Sequence, residues 1–258
     1  AEGTRDGVRR RLQPQKATAA IRLAQAETLG GTQGRASDDG FDVTDCGQHV
    51  SAEEFNALAN QPDTVIVDMR NHYESEVGHF KGAVLPASET FRDEIKEVEE
   101  LLEEKRNENI VLYCTGGIRC EKASAYLKHK GFPNVHQLEG GIIEYVRQVK
   151  TKGLDNRFQG VNFVFDERMA ERVSDDVVAE CHQCGTACDH VTNCANAACN
   201  VLMVQCPSCA NEMDSTCGIT CKEFVALPPE EQKAQRQGTR PQRRTLKQPA
   251  KARTAKRH

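Results

Sequence analysis

Residues 110–113, Ile-Val-Leu-Tyr, form a continuous apolar run that delivers Cys114 into a loop containing Gly116 and Gly117. Beyond the loop, residues 121–130 read as a helix stopped by Gly131. A strand that feeds a helix through a glycine turn belongs to an α/β architecture. It also places the thiol at a helix N-terminus, where unpaired backbone N–H groups and the helix dipole favour an anion and lower a thiol pKa from about 8.5. The glycines let the loop turn its amides inward, and Arg119 supplies fixed positive charge at the far side. Such a cup suits a thiolate, or a persulfide carried on it, as nucleophile or sulfur carrier. A buried, inert cysteine would need neither the glycines nor the arginine.

The flanking sequence repeats the alternation. Ser51 and Glu54 form a capping box ahead of a helix with Phe55, Leu58 and Ala59 on one face. Residues 65–67, Val-Ile-Val, read as a strand buried on both sides, with Asp68 at its C-terminal end, where parallel sheets place functional groups. Residues 91–107 read as a charged helix with Ile95, Val98, Leu101 and Leu102 inward and its carboxylates in solvent. A strand over 135–138 and a helix over 142–149 complete an α/β domain with a parallel sheet, spanning residues 40–150.

Hydrophobic residues make up 38% of the 258-residue chain, too few for one uniformly packed body, so one solid domain with looser parts is expected. Nine of the twelve cysteines crowd between Cys181 and Cys221. Residues 151–227 are poor in apolar side chains, and metal staples would compensate. Cys181 and Cys184, with Cys206 and Cys209, have the spacing of two zinc knuckles. Cys188, Cys194, Cys199, Cys217 and Cys221, with His182 and His190, offer donors for a second site, but spacing does not pair them. A cluster of reduced thiols is the plainer alternative.

Charge is segregated. Residues 232–258 contain ten Lys or Arg and no Asp or Glu, which leaves residues 1–231 at −14 against a total of −4. Residues 228–258 therefore read as a basic, disordered tail able to collect phosphates. Residues 1–39, apart from a weak helical pattern over 17–29, read as disordered. No run approaches the ~18 apolar residues of a membrane helix, and no basic-then-apolar leader begins the chain, so a cytoplasmic protein without a membrane partner is expected.

The loop resembles that of the rhodanese family in its Cys-x-x-Gly-x-Arg pattern, present as Cys114, Gly117 and Arg119. A second rhodanese motif lies upstream, over residues 67–74 and 78–83. Four residues separate Cys114 from Arg119, one fewer than in related phosphatases, which favours sulfur or small-anion chemistry over phosphate ester hydrolysis. Residues 114–123, 139–145, 162–169 and 181–184 together resemble the oxygen-dependent tRNA uridine hydroxylases, which convert wobble uridine to 5-hydroxyuridine. The likeness runs from about residue 40 to 231, and residues 1–39 lack the strand-helix alternation of the family's N-terminal ferredoxin-like domain.

That resemblance implies a rhodanese-like, doubly wound parallel sheet, tRNA as partner, dioxygen as co-substrate, and Cys114 as carrier of the reacting sulfur. Asp68, Arg70 and Arg119 would support the loop formed by Thr115, Gly116, Gly117 and Ile118. Hydroxylation at carbon 5 would follow attack of Cys114 on carbon 6. No flavin or nucleotide motif is present in the sequence. A persulfide sulfurtransferase served by a sulfur donor is the rival enzyme, and a zinc-stapled RNA-binding scaffold the rival of another class.

Several residues keep two readings. Cys120 either resolves a persulfide on Cys114 as a disulfide or points into the core. His79 is a proton carrier or, more simply, a turn histidine. Phe163 and Phe165 pack in a core or stack bases, with packing favoured. Cys46 stands alone in a polar loop. Neither the oligomeric state nor the tRNA set is specified.

Overall fold

The computed structural model describes residues 40–236 apart from Glu89. Residues 1–39 and most of the basic tail, both expected to be disordered, therefore lie outside the described residues. Four strands, β1 (Gln48–Val50), β2 (Thr64–Asp68), β4 (Asn109–Tyr113) and β5 (Val135–Leu138), form a parallel sheet in the order β1-β5-β4-β2. The central β4 pairs with β2 from Thr64↔Asn109 to Asp68↔Tyr113, so Asp68 and the residue preceding Cys114 end side by side.

The sheet is covered on both faces, as the doubly wound reading requires. Helices α3 (Phe91–Leu102) and α4 (Ile118–His129) contribute Ile95, Val98, Leu102, Ala123 and Leu127 to one core with Val65, Val67, Ile110 and Leu112. On the other face, α1 (Ala52–Leu58) and α5 (Gly141–Lys152) bring Phe55, Ile142 and Tyr145 against Ile66, Val111 and Tyr113. The alternation of side chains along β2 and β4 sends successive residues to opposite cores. Ser51 caps α1 through the expected reciprocal bonds with Glu54.

Three sequence expectations are corrected. The helix expected over 91–107 ends at Leu102 and continues as a 3₁₀ turn, Glu103–Lys105, with Leu101 exposed and Glu94 buried instead. The helix after the cysteine loop begins at Ile118, three residues early, so Arg119 and Cys120 lie in its first turn. Residues expected to start a disordered tail form α8 (Pro229–Arg236).

The boundary at residue 150 is crossed by pairing. Strand β3 (Gly78–Phe80), after the short helix α2 (His72–Ser75), lies outside the parallel sheet and pairs antiparallel with β6 (Phe158–Phe163), which pairs in turn with β7 (Ala170–Arg172). Phe158 enters the core of Phe55, Phe80 and Tyr113. Val77 packs with Val161, Phe163 and Ala179 against Cys181 and Cys206. A hairpin of β8 (Val191–Asn193) and β9 (Leu202–Val204), then α6 (Pro207–Glu212) and α7 (Ile219–Val225), complete the cysteine-rich part.

Candidate active site and thiolate clusters

Cys114 sits just past the end of β4, 2% exposed, in a loop held from two sides. On one side, α4 is preceded by Gly117 at its N-cap, whose φ of +90° suits glycine and whose N–H donates to the Cys114 Sγ at 3.1 Å. On the other, the N-terminus of α5 donates N–H groups of Ile142 and Ile143 to the carbonyls of Cys114 (3.0 Å) and Thr115 (3.2 Å). Gly141 permits this approach: a Cβ there would stand 2.3 Å from the Cys114 carbonyl oxygen and 2.8 Å from the amides of Gly116 and Gly117.

The Cys114 thiol is pulled down to about 6, most strongly by the neighbouring Cys120 thiol, against the opposing effect of burial. The Arg119 charge and the amides of Arg119 and Gly116 add to the lowering. Cys120 is fully buried and its own thiol is raised by that burial and by hydrogen bonding to Cys114, so it is a proton donor to the Cys114 thiolate. Of the two readings for Cys120, the geometry places it in the core and against Cys114 at once.

Arg119 is oriented by Glu74. Its Nη2 donates to Glu74 Oε1 at 3.0 Å, its Nη1 lies 3.0 Å from Oε2, and Nη1 also donates to the Met69 carbonyl at 3.2 Å. Glu74 is fully buried and also accepts from Thr115 Oγ1 at 3.2 Å and from the Asn71 backbone N–H at 3.1 Å. One carboxylate thus ties the cation, the loop and the cap of α2 together. Sequence reasoning missed Glu74, although the Asn-x-x-Glu spacing from Asn71 is itself a capping signal.

Asp68 and Arg70 form a bidentate pair, with Arg70 Nε and Nη2 donating to Asp68 Oδ1 (2.8 Å) and Oδ2 (2.6 Å), and both side chains fully buried. Tyr113 OH donates to Asp68 Oδ2 at 2.7 Å, and Arg70 Nη2 donates to the Gly78 carbonyl at 2.6 Å. The pair therefore fixes the end of β4 and the start of β3. Through Tyr113 it is bonded to the residue that precedes Cys114.

Glu94, on the first turn of α3, is a second residue missed. Its side chain is buried, its Oε1 has no hydrogen-bond partner, and burial pushes its carboxyl up to about 9. Arg119 pulls against that rise, while the negative charges of Asp68, Glu74 and Cys114 reinforce it. A charged helix face hides such a residue in the sequence because one buried Glu among many solvated ones breaks no pattern.

In the cysteine-rich part, the Sγ atoms of Cys181, Cys184, Cys206 and Cys209 lie within 4.8 Å of one another, as the knuckle spacing predicts, and can hold a metal ion. The backbone N–H groups of Cys206 and Cys209 point at the sulfurs of Cys181 (3.3 Å) and Cys206 (3.5 Å), the kind of support that stabilises thiolate charge. Cys194, Cys199, Cys217 and Cys221 are gathered in the same way. His182 and His190 are committed elsewhere: His182 Nε2 lies 2.7 Å from Glu76 Oε1, and His190 Nδ1 lies 3.2 Å from the Gln205 carbonyl.

His79 contacts the Ser75 carbonyl at 2.8 Å through Nδ1, in keeping with a structural turn histidine. Phe163 is buried, with its ring 5.3 Å from that of Tyr73, whereas Phe165 is exposed. Cys46 is not alone, since its sulfur lies within 4.8 Å of donor atoms of His49 and Glu121. Among the described residues no helix is long and apolar enough to cross a membrane.

A parallel sheet with a low-pKa cysteine at its C-terminal edge, cupped by a helix N-terminus and an arginine, defines a rhodanese-like protein, and the profile described as a rhodanese-like domain matches residues 51–148. A profile described as rhodanase C-terminal matches residues 159–222. Over 201 residues the chain is 55% identical to the tRNA uridine(34) hydroxylase of Photorhabdus laumondii and 56% identical to that of Pectobacterium carotovorum, in each case over 78% of this chain. It is 52% identical to the tRNA uridine(34) hydroxylase of Leptospira interrogans over 202 residues. The chain belongs to the tRNA uridine(34) hydroxylase family. It spans 55–57% of the length of these curated relatives. A solution structure of a rhodanese-like domain from Anabaena, 19% identical, covers 49% of this chain and 87% of that chain with a TM-score of 0.35.

Proposed function

We propose that this chain is the catalytic part of a cytoplasmic tRNA-modifying oxidoreductase, which hydroxylates wobble uridine at carbon 5 with Cys114 as the reacting group. The observation that carries this reading is the Cys114 thiolate in its cup, within a chain more than half identical to relatives named for that activity. With a pKa of about 6, the sulfur is mostly ionised at neutral pH. Attack on carbon 6 of uracil forms a carbon–sulfur bond and moves charge onto carbon 5 and the adjoining carbonyl. Carbon 5 then takes one oxygen atom from dioxygen, and the other leaves as water with two electrons and two protons from an external donor. Loss of the carbon 5 proton and expulsion of the thiolate restore the ring double bond. Arg119 and the inward amides stabilise anionic charge at the sulfur and on the ring, Cys120 returns a proton, and Asp68, Arg70 and Glu74 hold the cup in place.

A second reading, persulfide transfer from a sulfur donor, is favoured by the burial of Cys114, since a thiol 2% exposed is reached more readily by one sulfur atom than by a flat base. For the first cysteine set, zinc is the metal that four thiolates select. Its role there is to staple the fold.

The deciding measurement is mass spectrometry of wobble nucleosides from cells lacking the gene and complemented with wild type or Cys114→Ser. Restoration of 5-hydroxyuridine by wild type and not by the variant is expected. Equal restoration by both removes Cys114 from the mechanism, and restoration by neither, with persulfide transfer retained in vitro, shifts the assignment to the sulfurtransferase.

A further inference from the structure

We propose that Cys194, Cys199, Cys217 and Cys221 bind a second zinc ion, interleaved with the first so that neither metal can be lost without loosening the loop that carries the other. Sequence spacing left these cysteines unpaired. The fold gathers them from the end of β8, the turn before β9, and the start of α7.

The geometry distinguishes a metal set from thiols that merely meet. A tetrahedron with zinc–sulfur bonds of ~2.3 Å has sulfur–sulfur edges of about 3.8 Å. Cys199 and Cys217 are 3.6 Å apart at sulfur, as are Cys217 and Cys221, and all four sulfurs fall within 4.8 Å. The same 3.6 Å separates Cys184 from Cys206 in the first set. Disulfide bonds are ~2.05 Å long, so none of these pairs is joined, and all are free thiols.

The surroundings point the same way. The Cys217 backbone N–H donates to Cys194 Sγ at 3.3 Å, and Asn196 Nδ2 donates to Cys221 Sγ at 3.4 Å. These bonds neutralise part of the charge that four thiolates bring to one divalent ion, the task of the outer shell in metal sites. They match the N–H contacts to Cys181 and Cys206 in the first set.

Chain order supplies the interleaving. The ligand pairs run 181 and 184, then 194 and 199, then 206 and 209, then 217 and 221, alternating between the two sets. The loop closed by the first metal therefore contains the first pair of the second, and the loop closed by the second contains the last pair of the first. Residues between 200 and 205, including β9, belong to both loops. A second staple also anchors α7, and with it the point from which the basic segment departs.

The test is zinc content by elemental analysis of the full chain purified under reducing conditions. Wild type should carry two zinc ions, Cys221→Ser one or fewer, and Cys221→His, which restores a ligand, two again. Cobalt titration of metal-free wild type should show thiolate-to-metal charge transfer rising to two equivalents, a readout independent of any variant's folding. A wild-type content of one ion or none, saturation with one cobalt, or two zinc ions retained by Cys221→Ser would overturn the proposal. Cys184→Ser separates the two sites: its own loss of metal with a wild-type count of two supports both, while a count of one lost only in Cys184→Ser leaves the first site standing alone.

Discussion

The parallel-sheet body buries two cysteines and the cysteine-rich part five, yet they hold them in opposite settings. In the body, Val67, Ile110, Leu112 and Phe55 fill cores on both faces of the sheet, so apolar burial holds the structure and leaves Cys114 to the role proposed for it. In the second part, Cys181, Cys188, Cys206 and Cys209 are themselves core residues beside only a few apolar side chains. A thiol beside one further thiol, an arginine and a helix terminus is set up as a thiolate, whereas four converging thiols are set up to hold a metal. What surrounds the sulfur, and not its burial, separates the two.

Metal removal is the largest test of that contrast. Chelation of metal-loaded protein should abolish hydrogen-exchange protection across residues 181–221, because a thiolate-bound zinc contributes on the order of 10 kcal/mol to a segment with so little apolar core. Residues 64–68 and 109–113 should stay protected, with β6 intermediate because Phe158 belongs to the body while Val161 and Phe163 belong to the other core. Simultaneous loss across both parts would show that the β3–β6 pairing welds them into one cooperative unit.

Next in size is Cys114→Ser, which should lower activity on the order of 10⁴-fold, leaving zinc content and, near pH 6, the melting temperature unchanged. The swap exchanges an ionised sulfur for a hydroxyl that stays neutral at physiological pH. A fall in zinc content would break the separation between the two kinds of cysteine.

Much of this contrast was legible in the sequence. The strand, glycine loop and helix around Cys114 announce themselves locally, because apolar run, glycine and capping residues each act within a few positions. The Cys181 and Cys206 knuckles do the same. What escaped depends on distant pairing. Glu74 reaches Arg119 across 45 positions, Gly141 meets the Cys114 carbonyl from another helix, and the second thiolate set joins turns that spacing cannot align. The pairing of β3 with β6 across residue 150 was hidden for the same reason, since β3 finds its partner about 80 residues later.

Glu74→Gln should come third. It removes the charge that holds Arg119, and breaking a buried pair costs roughly 3 kcal/mol. Activity should fall with stability, and the pH profile of Cys114 alkylation should shift as Arg119 loses its fixed position. An unchanged profile would mean that Cys120 and the loop amides alone hold the thiolate.

The smallest effect concerns protons within the body. Glu94 retains its proton in the folded state up to about pH 9, whereas the unfolded chain releases it near 4.5, so its contribution to stability declines as pH rises through that interval. Cys114 has the opposite sign: its thiol ionises near 6 when folded and near 9 when unfolded, so its contribution is lost as pH falls toward 6. Between pH 6 and pH 9 the two slopes oppose each other, each at most about 1.4 kcal/mol per pH unit. Thermal melts of metal-loaded protein across that window should show Glu94→Gln gaining stability relative to wild type as pH increases, and Cys114→Ser losing it. If Glu94→Gln instead tracks wild type throughout, the buried carboxyl is already ionised and paired with Arg119, and the cup holds one more negative charge than its hydrogen bonds indicate.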